Sequence, residues 1–164
     1  MNAASSPGRF RFSDREDSSD GARFEVLVLF TTVPETLLAL RRAAGLASQL
    51  KARIELIVPE IVPYPLPIDR PPVVPPFLIN RYRTIVQQAG IDAGIRVCFC
   101  REPHAALAAT LKPVSLIMIG VRSRWWLTRE SRLARWLEAQ GHRVVVVNGR
   151  GGSRGSRVMH LLWR

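Results

Sequence analysis

Four arginines, Arg122, Arg124, Arg129 and Arg132, crowd one short stretch that opens at Gly120 and also holds Ser123 and Thr128. Guanidinium groups, hydroxyls and a glycine at such spacing are the materials of an anion site. Glycine lets a backbone approach a phosphate closely, and the first N–H groups of a helix beginning near Thr128 would point at the same negative charge. Cations alone at a helix N-terminus are mildly unfavourable, so an anion would be welcome there. The chemistry suggested is recognition of a small phosphorylated or carboxylated ligand, against the plainer alternative of a solvated arginine-rich loop. Trp125-Trp126 lies inside the same stretch. We read the pair as a plug that closes the end of a sheet, or as a contact for a partner.

The other chemistry-bearing residues form no comparable group. His104 follows Pro103 in the first turn of an expected helix, with no carboxylate or nucleophile arranged around it in sequence, and His142 and His160 carry no stronger signal. No nucleophile elbow, metal-ligand cluster or facing pair of acids is spelled out. Thr31, Ser123 and Thr128 are hydroxyls without an identifiable base, so no catalysis and no metal are expected. Cys98 and Cys100 stand two apart on an expected strand. That spacing puts both on one face, a poor geometry for a disulfide between them, and they read as buried thiols.

The elements that must position these residues follow from hydrophobic patterning. Phe24–Phe30, Arg53–Val58, Ile95–Cys100, Val114–Ile119 and Arg143–Val147 are short apolar runs of strand length. Their nearly continuous apolar character predicts strands buried on both faces, as in a parallel sheet. Between them lie helical patterns. Thr32-Val-Pro-Glu35 has a capping-box arrangement, and Leu37, Leu40, Ala44, Ala47 and Leu50 recur at helical spacing. Further helices are predicted over Phe77–Ala89, from Glu102-Pro103 to about Leu111, and over Thr128–Gln140, with Gly141 as the stop. Five strands with four intervening helices dictate right-handed crossovers: an α/β fold, an open five-stranded parallel sheet of order 3-2-1-4-5 with helices on both faces. Ligands of such sheets sit at the carboxyl ends of the strands, beside the reversal in strand order. Here that places Thr31 and Thr32 after the first strand opposite Gly120, Arg122, Ser123 and Arg124 after the fourth.

In this order of elements, in the Glu102-Pro103 helix start, and in the segment SLIMIGVRSRWWLTRESRLARWLEAQGHRVVVV, residues 25–148 resemble the universal stress protein family. Members of that family that bind ATP carry a loop of the form G-x2-G-x9-G-(S/T) after the fourth strand. Laid on this chain, the first glycine matches Gly120, whereas the later positions fall on Ser123, Leu133 and Ala134. The acidic residue that ATP-binding members place after the first strand is replaced by Phe30-Thr31-Thr32. The resemblance therefore implies the fold and a homodimer, and ATP is not expected to bind in the usual way. A looser similarity exists to the stress-protein-like domains appended to some amino-acid permeases.

Bulk properties bound the remaining choices. The chain has 164 residues, enough for one domain. Its formal charge of +11, from 24 basic and 13 acidic residues, favours anionic partners without choosing among them. Nucleic acid would usually add an ordered basic stripe with aromatic platforms, and only Trp125, Trp126 and Trp163 are on offer, so direct nucleic-acid binding is not expected. No apolar run approaches the ~20 residues of a membrane span, and the polar N-terminus does not read as a signal peptide, so a cytoplasmic protein is expected. Residues 1–23, rich in Ser, Gly, Asp and Arg, read as a disordered arm. Residues 59–76 hold eight of the twelve prolines and read as a stiff, extended connection, a lid over the strand ends in preference to an SH3-type ligand. Residues 149–164 read as a basic flexible tail. The last strand, Arg143–Val147, is apolar and at a sheet edge, so pairing there with a second copy would protect it.

Overall fold

A computed structural model describes residues 9–13, 24–70, 73, 75–122 and 128–149. The elements in chain order are β1 (Arg9–Ser13), β2 (Glu25–Leu29), α1 (Val33–Leu50), β3 (Arg53–Ile61), α2 (Pro75–Gln88), β4 (Gly94–Cys100), α3 (Pro103–Thr110), β5 (Leu116–Val121), α4 (Arg129–Ala139) and β6 (Arg143–Asn148). Strands β2 to β6 pair in parallel in the spatial order β4-β3-β2-β5-β6, the doubly wound 3-2-1-4-5 arrangement expected from the apolar runs.

Alternation along the strands divides the interior in two. Val26, Val28, Leu56, Val58, Ile95, Val97 and Met118 face α1 and α2, where Ala39, Leu40, Ala43, Leu78, Ile79 and Ile85 complete one cluster. Leu27, Leu29, Ile57, Cys98, Ile117 and Ile119 face the other way, onto Leu107 of α3 and Ala134 and Leu137 of α4. The chain winds outward from β2 to β4 through α1 and α2. It then returns to β5 and β6 through α3 and α4 on the opposite face, as right-handed crossovers require. Among the described residues, no helix is long and apolar enough to cross a membrane.

The structure differs from the sequence expectation in four places. Within the arm expected to be disordered, residues 9–13 form β1, which pairs antiparallel with the outer side of β4. Arg-Phe-Arg-Phe alternates with period two, the pattern of a strand, and that local signal prevails over the polar composition around it. The connection expected to be neither helix nor sheet is narrower than residues 59–76. Pro59 lies inside β3, and Pro75 and Pro76 open α2. Ile57 turns its carbonyl to the N–H of Phe30, so Pro59, two residues on, turns its missing N–H past the end of β2, where no ladder bond is lost. Prolines fit the first turn of α2 because its N–H groups lack helical partners. Val114 is not the start of a strand: its φ of 58° puts it in the left-handed region, and β5 begins at Leu116. Finally, Thr32 is the N-cap of α1 through its backbone alone; its side chain makes no capping hydrogen bond.

Candidate functional site

The reversal in strand order lies between β2 and β5, and their carboxyl ends bring Thr31 and Gly120 together. The Thr31 hydroxyl donates to the Gly120 carbonyl at 3.1 Å, across 89 residues of sequence. The Thr31 N–H donates to the hydroxyl of Thr36 at 3.2 Å, and Thr36 is fully buried. These groups satisfy one another. Gly120 has a packing reason to be glycine. A Cβ there would stand 1.9 Å from the Glu35 carbonyl oxygen and 2.4 Å from its carbon, so the first turn of α1 occupies the space a side chain would need. The residue chosen from sequence for close approach to a phosphate is thus approached closely by the chain's own backbone.

The remaining sequence-selected residues spread outward from this point. Thr32 is exposed at the start of α1, and Arg122 is exposed just past β5. Thr128 caps α4: its hydroxyl oxygen accepts from the Ser131 N–H at 3.1 Å and lies 2.9 Å from the Ser131 hydroxyl. Glu130 adds an acidic group in the first turn of α4. Part of the demand for an anion at that helix end is therefore met within the chain. Arg129 and Arg132 are exposed on α4. Ser123, Arg124, Trp125 and Trp126 lie outside the described residues, as does the tail from residue 150.

A second arrangement, at the carboxyl ends of β3 and β4, escaped sequence reasoning. Arg101, the residue after β4, donates one guanidinium nitrogen to the carbonyl of Val62 and another to that of Leu66. Its guanidinium carbon also lies 4.0 Å from the centroid of the Tyr64 ring. The Val62 N–H donates to the Cys100 carbonyl at 2.9 Å. Together these contacts hold the proline-rich turns, which include a cis Tyr64-Pro65 peptide, against the end of β4. Beneath them the Tyr82 hydroxyl donates to the Glu60 carboxylate, and the Phe30 ring meets Tyr82 edge-on at 5.1 Å. Burial, then the hydrogen bond to Glu60 and its charge, push the Tyr82 phenol above its ordinary range. Burial, with smaller contributions from Cys98, Glu102 and Glu60, pushes the Cys100 thiol up to about 11. That thiol is protonated at neutral pH and is no nucleophile. Cys98 and Cys100 are buried and form no disulfide, as their strand spacing suggested.

The two histidines among the described residues take structural places. His104 packs edge-on against Trp136 at 4.8 Å, and Nδ1 of His142 accepts from the Ser115 N–H at 3.3 Å.

No family model matches the chain, and a search of the curated proteins finds no match.

Proposed function

We propose that this chain is a non-catalytic regulatory domain of the universal stress protein type. On this reading it acts in the cytoplasm through association of two copies along β6. It takes a small anion at the arginine-rich end of β5, and does not hold ATP through the usual glycine loop. The observation that carries the reading is Gly120. Its open side is filled by the Glu35 carbonyl, and the neighbouring Thr31 and Thr36 hydroxyls are turned on the chain itself. The exposed Arg122 after β5, with the exposed Arg129 and Arg132 on α4, supports an anion held at the surface. Two buried thiols outside any disulfide accord with a reducing compartment. For the dimer, β6 is the last strand of the sheet, and Val146 is 46% exposed along it.

The test is a thermal-shift screen of nucleotides and small anions on the native chain and on Arg122→Ala/Arg124→Ala, with sedimentation of both. The reading expects stabilisation by a simple anion, lost in the double variant, and a dimer in sedimentation. Stabilisation by ATP with magnesium, also lost in the double variant, would replace it with a nucleotide-binding protein that has an altered loop. The exposed arginines are the observation that favours that second reading. Salt-sensitive binding of nucleic acid or anionic vesicles would replace it with a charge-driven surface binder.

A further inference from the structure

Strands β2 to β6 would by themselves leave β4 as an edge, and it is an unusual one. With β1 in place, Ile95, Val97, Cys98, Phe99 and Cys100 are each at most 2% exposed. So apolar an edge invites pairing with another strand. Residues 9–13 supply one, in the register Arg9↔Cys100, Phe10↔Phe99, Arg11↔Cys98, Phe12↔Val97 and Ser13↔Arg96.

The hydrogen-bonding direction follows from the neighbouring strand. The Cys100 carbonyl accepts from the Val62 N–H, so the polar groups of Cys100 and Cys98 face β3. By alternation, those of Phe99 and Val97 face outward, toward β1. The ladder bonds therefore join Phe99 to Phe10 and Val97 to Phe12. Three of the other five strands, β3, β4 and β5, are tied to the sheet through helical crossovers on both sides, β2 through α1 on one and β6 through α4 on one. By contrast, β1 runs against the sheet direction and reaches β2 only through residues 14–24. Fully extended, those residues would span roughly 36 Å, while three strand spacings come to roughly 14 Å. The connection is long enough to let the strand come and go.

We propose that the outer edge of β4 is a peptide-binding site for an extended segment of alternating basic and aromatic residues, and that the chain's own residues 9–13 occupy it as a tethered ligand. Main-chain bonds to Val97 and Phe99 give affinity, and the alternation of Phe with Arg sets which residue stands at each register position. The tether supplies a local concentration on the order of millimolar, which holds a five-residue strand in place that would bind weakly when free. The site is independent of the anion site and of the dimer along β6.

The experiment uses the full chain. Backbone amide exchange is followed at Val97 and Phe99, with Val28 and Met118 reporting the core. Phe10→Pro/Phe12→Pro removes both ladder donors from β1, whereas Arg11→Pro removes an N–H that points away from β4. The expected result is exchange at Val97 and Phe99 at least about tenfold faster in the double variant and unchanged in Arg11→Pro. A peptide of residues 7–14, added to the double variant, is expected to restore protection saturably, while the native chain ignores it at the same concentration. Unchanged exchange in the double variant would overturn the proposal, and so would fast exchange that millimolar peptide fails to slow. If the double variant loses protection at Val28 and Met118 as well, the same readouts are taken on the native sequence with a protease site inserted after Ser19, cut and then diluted. Expected and overturning outcomes are the same there.

Discussion

At the carboxyl ends of β2 and β5 the sheet is closed by main chain. The Glu35 carbonyl sits where a side chain on Gly120 would be, and Thr31 is bonded to the Gly120 carbonyl. At the ends of β3 and β4 a main-chain bond from the Val62 N–H to the Cys100 carbonyl is joined by side chains that make most of the closure, with Arg101 reaching two carbonyls and Tyr82 reaching Glu60. A main-chain closure has no rotamer to change, so a ligand could enter only by displacing α1. A closure made largely by side chains loosens when one arginine turns. Plasticity at this end of the molecule therefore resides over β3 and β4, and the point of strand reversal is its rigid half.

The strongest way to break this comparison is Gly120→Ala. The added carbon collides with backbone that no side-chain movement can clear, and a loss of at least about 3 kcal/mol is expected in urea unfolding. Glu35→Ala is expected to stay within about 0.5 kcal/mol, because the contact is made by its carbonyl. A cost for Gly120→Ala no larger than that would show that the rigid half is not rigid.

Next in size is Arg101→Ala, with an expected loss of about 2 kcal/mol and faster proteolytic cutting between residues 62 and 70. Arg101→Lys is expected to restore little, since an ammonium cannot span two carbonyls and cover a ring as the planar guanidinium does. Tyr82→Phe is expected to cost about 1 kcal/mol by denaturation, the size of one hydrogen bond, and Thr31→Val a similar amount. If Thr31→Val proved the costlier by far, side chains would govern both halves and the contrast would fall.

The smallest effect is a slope. The Cys100 thiol is raised by folding from its ordinary value near 9 to about 11. Its contribution is intact below about pH 9 and is lost as the pH rises toward 11, because the unfolded chain ionises first. Urea midpoints across that window are expected to fall less steeply in Cys100→Val than in the native chain. Tyr82 is raised in the same direction from a higher starting point, so a slope remains in the variant.

Much of the architecture was legible because β2, β3, β4 and β5 are short runs of Val, Leu and Ile separated by helical repeats, and buried parallel strands are written that way. What escaped depends on partners distant in sequence. Arg101 and Val62 are 39 residues apart, and an arginine after a strand announces no carbonyls to hold. Gly120 was read as a place for a phosphate to come close, and sequence does not say that the Glu35 carbonyl lies there. β1 was missed because five alternating residues were outweighed by the polar stretch around them. Val114 looked like strand, and only the turn from Lys112 to Ser115 forces it into a left-handed conformation.

The seat of α1 on Gly120 also sets an order of events during synthesis. When β2 and α1 leave the ribosome, the glycine that receives the first turn of α1 is still to be made, 89 residues beyond Thr31. β3, α2, β4 and α3 all emerge before it. The early β2-α1-β3 unit thus carries one half of an interface whose other half arrives late, and long-range pairings of this kind are slow to form. Completion of β5, more than any local step, is the moment at which α1 gains its seat.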